Sequence, residues 1–144
     1  MEKLDLLVVV DPYPTVTAVL QDRDDGVYLL PAATQFETRG SVTASNRSLQ
    51  WRDKVVEPLF ESKPDHTLIA MFAKKFGFDD RLFRTIAMDG DEPNVEDISR
   101  EFNRGRWTIG YTGPSPARHK TPHENPHPVV KKPLHANGRP ARVH

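Results

Sequence analysis

Two acids, Asp11 and Asp65, are set where a carboxylate can do specific work. Asp11 ends the apolar run Leu6–Val10 and is followed by Pro12. Asp65 follows Pro64 at the head of a stretch with helical apolar spacing. An ionised carboxylate accepts two parallel hydrogen bonds. A guanine base offers two such donors along one edge, an imino N–H and an amino group. A carboxylate is therefore a selective reader of guanine. Asp65 can act in the same way, or it can satisfy the free amides of a helix N-terminus. For Asp65 as an isolated residue the capping role is the stronger reading. Arg47 and Arg52 flank an Asn/Ser/Gln-rich stretch suited to a phosphate.

Other chemistries find less support. The chain has no cysteine, which excludes disulfides, thiolate metal sites, iron–sulfur ligation and a cysteine nucleophile within these residues. There is no GxGxxG and no Walker sequence. His66 is the one histidine before residue 114 and reads as an ordinary surface or helix-terminal residue, so no Ser/His/Asp triad can be assembled. His119, His123 and His127 are spaced four apart, but Pro122 and Pro126 forbid the regular helix that would align them. No catalytic residue and no metal site is assigned.

Seven of the 13 prolines and five of the six histidines fall in residues 114–144, with six Lys/Arg against one acid. Residues 1–113 carry 14 basic and 19 acidic groups, so the zero net charge is a cancellation between an acidic body and a basic tail. The tail lacks aromatic residues, which argues against specific nucleic-acid binding. No apolar run approaches the roughly 18 residues of a membrane span. The N-terminus reads as a strand, not a signal peptide, and implies a cytoplasmic location for this chain taken alone.

The elements that must position the two acids follow from periodicity. The run Leu4–Val10 predicts a strand buried on both faces and stopped at Asp11 by Pro12. Asp11 then lies at the carboxyl end of a parallel strand, where ligands bind in open α/β sheets. Thr15–Gln21 predicts a short helix and Val27–Leu30 a second strand stopped by Pro31, which together make a βαβ unit. Residues 32–52 are rich in Thr, Ser, Asn and Gly and read as a loop, either solvated or closing over a polar ligand. Ser62–Asp65 opens a helix, with Leu68, Ile69, Phe72 and Phe76 on one face and Gly77 as its stop. Another runs from Val95 to Arg104, with Asn94 as its N-cap and Gly105 ending it. Trp107–Ile109 predicts a short strand and Gly110–Gly113 a turn. From Pro114 no periodicity survives, which predicts disorder. The fold class is α/β: a partial Rossmann-like parallel sheet with flanking helices and an irregular loop segment, plus a disordered C-terminal tail. The expected division is a partial dinucleotide-binding domain over residues 1–113 and a tail over residues 114–144.

Four phrases together resemble one family. They are VDPYPTVTA (Val10–Ala18), VYLLPAATQFETRGSVTASNRSLQWR (Val27–Arg52), EPLFESKPDH (Glu57–His66) and WTIGYTG (Trp107–Gly113). They resemble the molybdopterin-guanine-dinucleotide oxidoreductases, above all the large catalytic subunit of respiratory formate dehydrogenase. The order DPYPT, LP, E-x-x-G, an R-x-x-Q loop and a later Asp is also similar to periplasmic nitrate reductase. The resemblance covers residues 3–113 and implies an internal piece of a longer subunit.

The resemblance implies cofactor-binding positions at Val10, Asp11, Thr15, Thr38 and Asp65, with Arg47 and Gln50 in the R-x-x-Q loop. One relative has lysine where this chain has Thr38. The implied cofactor is a molybdopterin guanine dinucleotide carrying molybdenum or tungsten, held as a pair in the parent enzyme. The implied parent reaction is formate oxidation to carbon dioxide in anaerobic respiration. Its partners would be the remainder of the catalytic subunit and an iron–sulfur electron-transfer subunit, in enzymes often periplasmic and membrane-associated. The family's thiolate or selenolate metal ligand, active-site His and Arg, and cluster cysteines have no counterpart here, so the chain alone is expected to be inactive. A truncated or frame-shifted reading frame would account for the change of character past Gly113. The alternative is a noncatalytic α/β module whose basic tail binds an acidic partner, or a product without function.

Overall fold

Strands β1 (Leu7–Asp11) and β2 (Val27–Pro31) run parallel, in register from Leu7 opposite Val27 to Asp11 opposite Pro31. The four-residue helix α1 (Val16–Val19) lies between them in sequence and completes the expected βαβ unit. The computed structural model describes residues 3–19, 23, 25–43, 49–107, 111–112, 115–120 and 130–131. Expectations for Arg47, His123, His127, Thr108 and Ile109 lie outside the described residues.

The sheet departs from expectation in its burial. Leu7, Val8 and Val9 are half-buried and Val10 is exposed, so β1 is not enclosed on both faces. The cause is the width of the sheet: β1 and β2 form a two-stranded unit. Parallel strands are normally covered by layers on both sides.

Gly26 fixes the approach to β2. It has φ +65°, and its carbonyl accepts the Leu7 amide at 2.8 Å. A Cβ added there would stand 2.8 Å from the Asp5 carbonyl oxygen.

The loop segment is partly ordered as a hairpin. Strands β3 (Gly40–Thr43) and β4 (Leu49–Arg52) pair antiparallel, Gly40 opposite Arg52 and Thr43 opposite Leu49. Few large apolar residues mark this ladder in the sequence, which is why its period is hard to read. Backbone bonds from Val55 and Val56 to the Phe36 carbonyl, at 2.8 and 3.2 Å, close the segment behind β4.

Helix α2 (Asp65–Phe76) starts after Pro64 and ends at Gly77, which adopts the left-handed conformation, φ 73° and ψ 36°. Its buried side is Thr67, Leu68, Ala70 and Ala73, whereas Ile69 and Phe76 of the predicted stripe are 53% and 71% exposed. The small residues let α2 settle against β6 (Glu92–Pro93), which pairs with β5 (Met88–Asp89). Ile69 and Phe76 face outward, and Phe72 is half-buried. Phe72, Phe76 and Phe78 stack in succession, each pair of ring centroids 6.3 Å apart. A short helix α3 (Asp79–Leu82) follows.

Helix α4 (Val95–Trp107) begins as predicted, with Asn94 Oδ1 accepting the Glu96 and Asp97 amides at 3.0 and 3.1 Å. It does not stop at Gly105. One glycine costs a helix about 1 kcal/mol relative to alanine, too little to end it. Trp107 is therefore helical, not part of a strand. In the tail, α5 (Pro116–His119) opens on a proline, which suits a first helical position. Strands β7 (Tyr111–Thr112) and β8 (Val130–Lys131) pair antiparallel. The rest of the tail, and with it most of the expected disorder, lies outside the described residues. No helix among the described residues is long and apolar enough to cross a membrane.

The core gathers Ala32, Leu68, Ala70, Ala73 and Val95, with Pro93 fully buried. It joins the end of β2 to α2, β6 and α4. Replacing Gly26 with alanine should therefore loosen the strand pair that feeds this core. The expected loss is about 1–3 kcal/mol from the positive φ alone, seen as a lower denaturation midpoint. An unchanged midpoint would count against both the backbone strain at Gly26 and its close approach to the Asp5 carbonyl.

Candidate functional site

Pro12 has no amide to donate and stops β1 at Asp11, so the Asp11 carboxylate stands at the open end of the strand. Its Oδ1 accepts the Tyr13 amide at 3.1 Å, a local turn of the kind Asp favours. Among the described residues its other oxygen carries no hydrogen bond. The Asp11 carbonyl accepts the Ala32 amide at 3.3 Å.

The ladder then continues past β2. Lys63 donates its amide to the Pro31 carbonyl at 3.2 Å and accepts the Ala33 amide at 2.8 Å, a parallel bridge beside Ala32. The backbone at Asp11 and at Lys63 is thus two strand spacings apart, roughly 10 Å. Asp65, exposed, begins α2 two residues later. Two predicted acids separated by 54 positions so come to one edge of the fold. No side-chain cap bond is made at the start of α2.

Thr38 is half-buried and lines a cavity of about 460 Å³, together with Pro64 and His66 on either side of Asp65. Arg39, Lys54, Glu57 and Glu92 complete its charged wall. Thr15 is half-buried at the start of α1, where its carbonyl accepts the Ala18 and Val19 amides at 2.9 and 3.1 Å. Val10 lies beside Asp11 on β1. Gln50 is exposed on β4 opposite Val42. Arg52 donates to Gln35 Oε1 at 2.8 Å. The structure therefore brings the backbone at Asp11 within two strand spacings of the residue preceding Pro64, and places Thr38 on a cavity with the residues on either side of Asp65.

Glu37, unassigned from sequence, organises the loop beside them. It is 4% exposed. Its Oε2 accepts the Thr34 amide at 2.7 Å and its Oε1 the Leu59 amide at 2.9 Å. The Thr34 amide and hydroxyl, then the Leu59 amide, hold its carboxyl below the usual range against the opposing effect of burial. The only sequence signal was the E-x-x-G spacing, which names neither partner.

His66 also proves more than a surface residue. It is half-buried and lines both the polar cavity and a larger apolar groove. Burial pushes its imidazole below the usual range, and Arg39 acts in the same sense. Glu92 and Asp65 pull it upward. Among the described residues no group of three or more His, Cys, Asp or Glu is arranged to hold a metal.

A carboxylate at the carboxyl end of a parallel strand stands on the edge where open α/β sheets bind ligands. Comparison with known proteins gives that edge a family. The profile of the molybdopterin oxidoreductase family matches residues 1–75, more than half of the chain, and the chain belongs to that family. A protein of Staphylococcus haemolyticus named a candidate formate dehydrogenase is 37% identical over 123 residues, covering 78% of this chain and 12% of that protein. A Staphylococcus aureus protein of the same description is 38% identical over 78 residues, 54% of this chain and 7% of its own length. The chain thus spans about a tenth of the length of these relatives.

The Glu37 carboxyl is lowered in the folded state, so its contribution is fully present above the ordinary glutamate range. It is lost as the pH falls through that range to the folded value. Glu37→Gln should lower the melting temperature at neutral pH, and the gap from the parent chain should close as the pH is taken below 4 or so. A gap that stays constant with pH would assign the effect to shape and not to charge.

Proposed function

We propose that these residues form one wall of the cofactor site in the catalytic subunit of a molybdopterin-dependent formate dehydrogenase. In this reading the wall holds a guanine dinucleotide, carrying molybdenum or tungsten, through Asp11 and Asp65. Val10, Thr15 and Thr38 line the same approach. The observation that carries the proposal is the Asp11 carboxylate at the strand end, with an oxygen left to accept. Its chemistry fits the imino and amino donors of guanine. Support for the substrate comes from the names of the relatives, which are formate dehydrogenases by description.

When bound, the cofactor supplies the metal-centred redox chemistry. The work of this stretch is binding and orientation. Asp11 accepts from the base, the backbone ladder fixes its distance from Asp65, and Glu37 holds the loop that carries Thr38. Other parts of the catalytic subunit and an iron–sulfur electron-transfer subunit are the partners this role requires. Anaerobic respiration, with a second dinucleotide bound elsewhere in the subunit, is the setting that best suits it.

Calorimetric titration of the full chain with guanosine diphosphate tests this. Binding should exceed that of adenosine diphosphate, and Asp11→Asn should weaken it by about tenfold or more, the loss expected for a hydrogen bond to a charged group. Asparagine keeps an oxygen for the Tyr13 amide, so the strand end should survive. Equal binding of the two nucleotides, unaffected by Asp11→Asn, would remove the assignment.

A further inference from the structure

We infer that this chain associates with a second copy of itself, the Phe60 side chain of one copy seated in the apolar groove between α2 and α4 of the other. Phe60 is the one non-glycine residue with a positive φ among the described residues, at 54°. A bulky side chain in that region is strained, and such strain persists only where the surroundings hold it. Here the Ser62 amide and hydroxyl both donate to the Leu59 carbonyl, at 3.0 and 2.6 Å, and close a tight turn around Phe60. The ring is thereby held away from the surface, and Phe60 is 100% exposed. Leu59, Val55 and Val56 of the same loop are exposed as well. A single exposed apolar residue is ordinary. One fixed at the tip of a clamped turn, in a loop with three others, has the form of an aromatic anchor.

The same chain carries a receptor for such an anchor. Ile69 of α2, Leu82, Phe83 and Ile86 in and after α3, and Ile98 and Phe102 of α4 line a groove of about 700 Å³. Phe60 is fully exposed and so does not fill the groove of its own copy. Only another copy brings the two together. Charge favours that pairing. Lys54 and Glu57, which precede Phe60 in the loop, neutralise each other at 2.6 Å. Glu61, directly after Phe60, is exposed and without a side-chain partner among the described residues. At the groove, Glu101 is engaged by the Thr85 hydroxyl at 2.6 Å and by Arg104 at 3.7 Å. Arg81 and Arg84, on either side of Leu82 and Phe83, are exposed and without side-chain partners among the described residues. An acid beside the anchor thus meets arginines beside the groove. One aromatic side chain buries roughly 150–250 Å², well below the roughly 1,200–2,000 Å² of a stable complex. The association is therefore reversible and rises with concentration.

This contact uses neither Asp11 nor Asp65, so it stands apart from the proposed function. Sedimentation equilibrium of the full chain over a range of concentrations tests it. The mean mass should rise above that of the monomer as the concentration increases. Phe60→Ala, which removes the anchor, and Ile69→Glu, which sets an acid in the groove facing Glu61, should each weaken the association by about tenfold or more. Both residues are exposed, and glutamate is a good helix former, so the denaturation midpoint of each variant should match that of the parent chain. The two variants are complementary: one keeps the groove and the other keeps the anchor. Mixed, they should restore association as a 1:1 complex, which an unfolded variant could not do. A chain that stays monomeric at every concentration overturns the inference. So does association that survives Phe60→Ala or Ile69→Glu, which would assign it to another surface, and so does a mixture that forms no complex.

Discussion

Lys63 donates to Pro31 and accepts from Ala33, and on those two bonds the relation between the strand edge and helix α2 depends. Without them β1 and β2 would be an isolated parallel pair, a unit that buries too little to stand by itself. With them the ladder passes from Asp11 through Ala32 to the residue two before Asp65. The prolines matter because they end each run without a donor. Pro12 and Pro31 stop the strands, and Pro64 stands between the bridge and the helix. Asp11 precedes the first of these prolines and Asp65 follows the last. A backbone constraint thus sets the spacing that side chains later use.

Glu37 is the second support of the same region. It joins Thr34 to Leu59, residues 25 apart in sequence, through one carboxylate. A buried carboxylate is costly unless its lone pairs are met. Here both oxygens accept backbone amides, which also satisfies donors that a loop would otherwise leave to solvent. The loop that carries Thr38 and Arg39 is therefore held without a large apolar anchor. That matches its composition, which is rich in Thr and Ser and poor in Leu and Ile.

Local signals were legible in the sequence and long-range ones were not. Asp11 could be placed because Pro12 is its neighbour, Asn94 because it precedes two acids and an apolar stripe, and Gly77 because only glycine suits the left-handed position it fills. Glu37 and His66 could not be placed, since their roles depend on residues brought close by the fold. The hairpin β3–β4 was hidden by polar residues that carry no clear alternation. The stripe on α2 was legible in period but splits in the fold: Leu68 is buried and Phe72 half-buried, whereas Ile69 and Phe76 are exposed. Ala70 and Ala73 give the closer approach to β6 and Pro93, while Ile69 faces a groove of about 700 Å³ shared with Leu82, Phe83, Ile86, Ile98 and Phe102. Period gives the faces of a helix, and only the partners decide which is buried. The resemblance read from Val10–Ala18 and Val27–Arg52 reached the family because it compared whole phrases, not single residues.

Charge distribution adds one more constraint. The acidic body and basic tail meet at α5, where Lys120 contacts Glu96 on α4 and lies 5.2 Å from the centre of the Trp51 ring. Exposed pairs of this kind contribute little stability. Their effect is on position: Trp51 is the residue of β4 between Gln50 and Arg52, so the contact ties the start of the tail to the hairpin. Asp97 performs a comparable service on the other side of α4. The Ala87 amide and then the Arg100 guanidinium hold its carboxyl below the usual range, which fixes the segment after α3 against the helix start. The acids of this chain therefore divide by what meets them. Glu37 and Asp97 are met by backbone amides and shape loops. Asp11 keeps accepting capacity, and on the proposed reading that is the capacity a guanine dinucleotide needs.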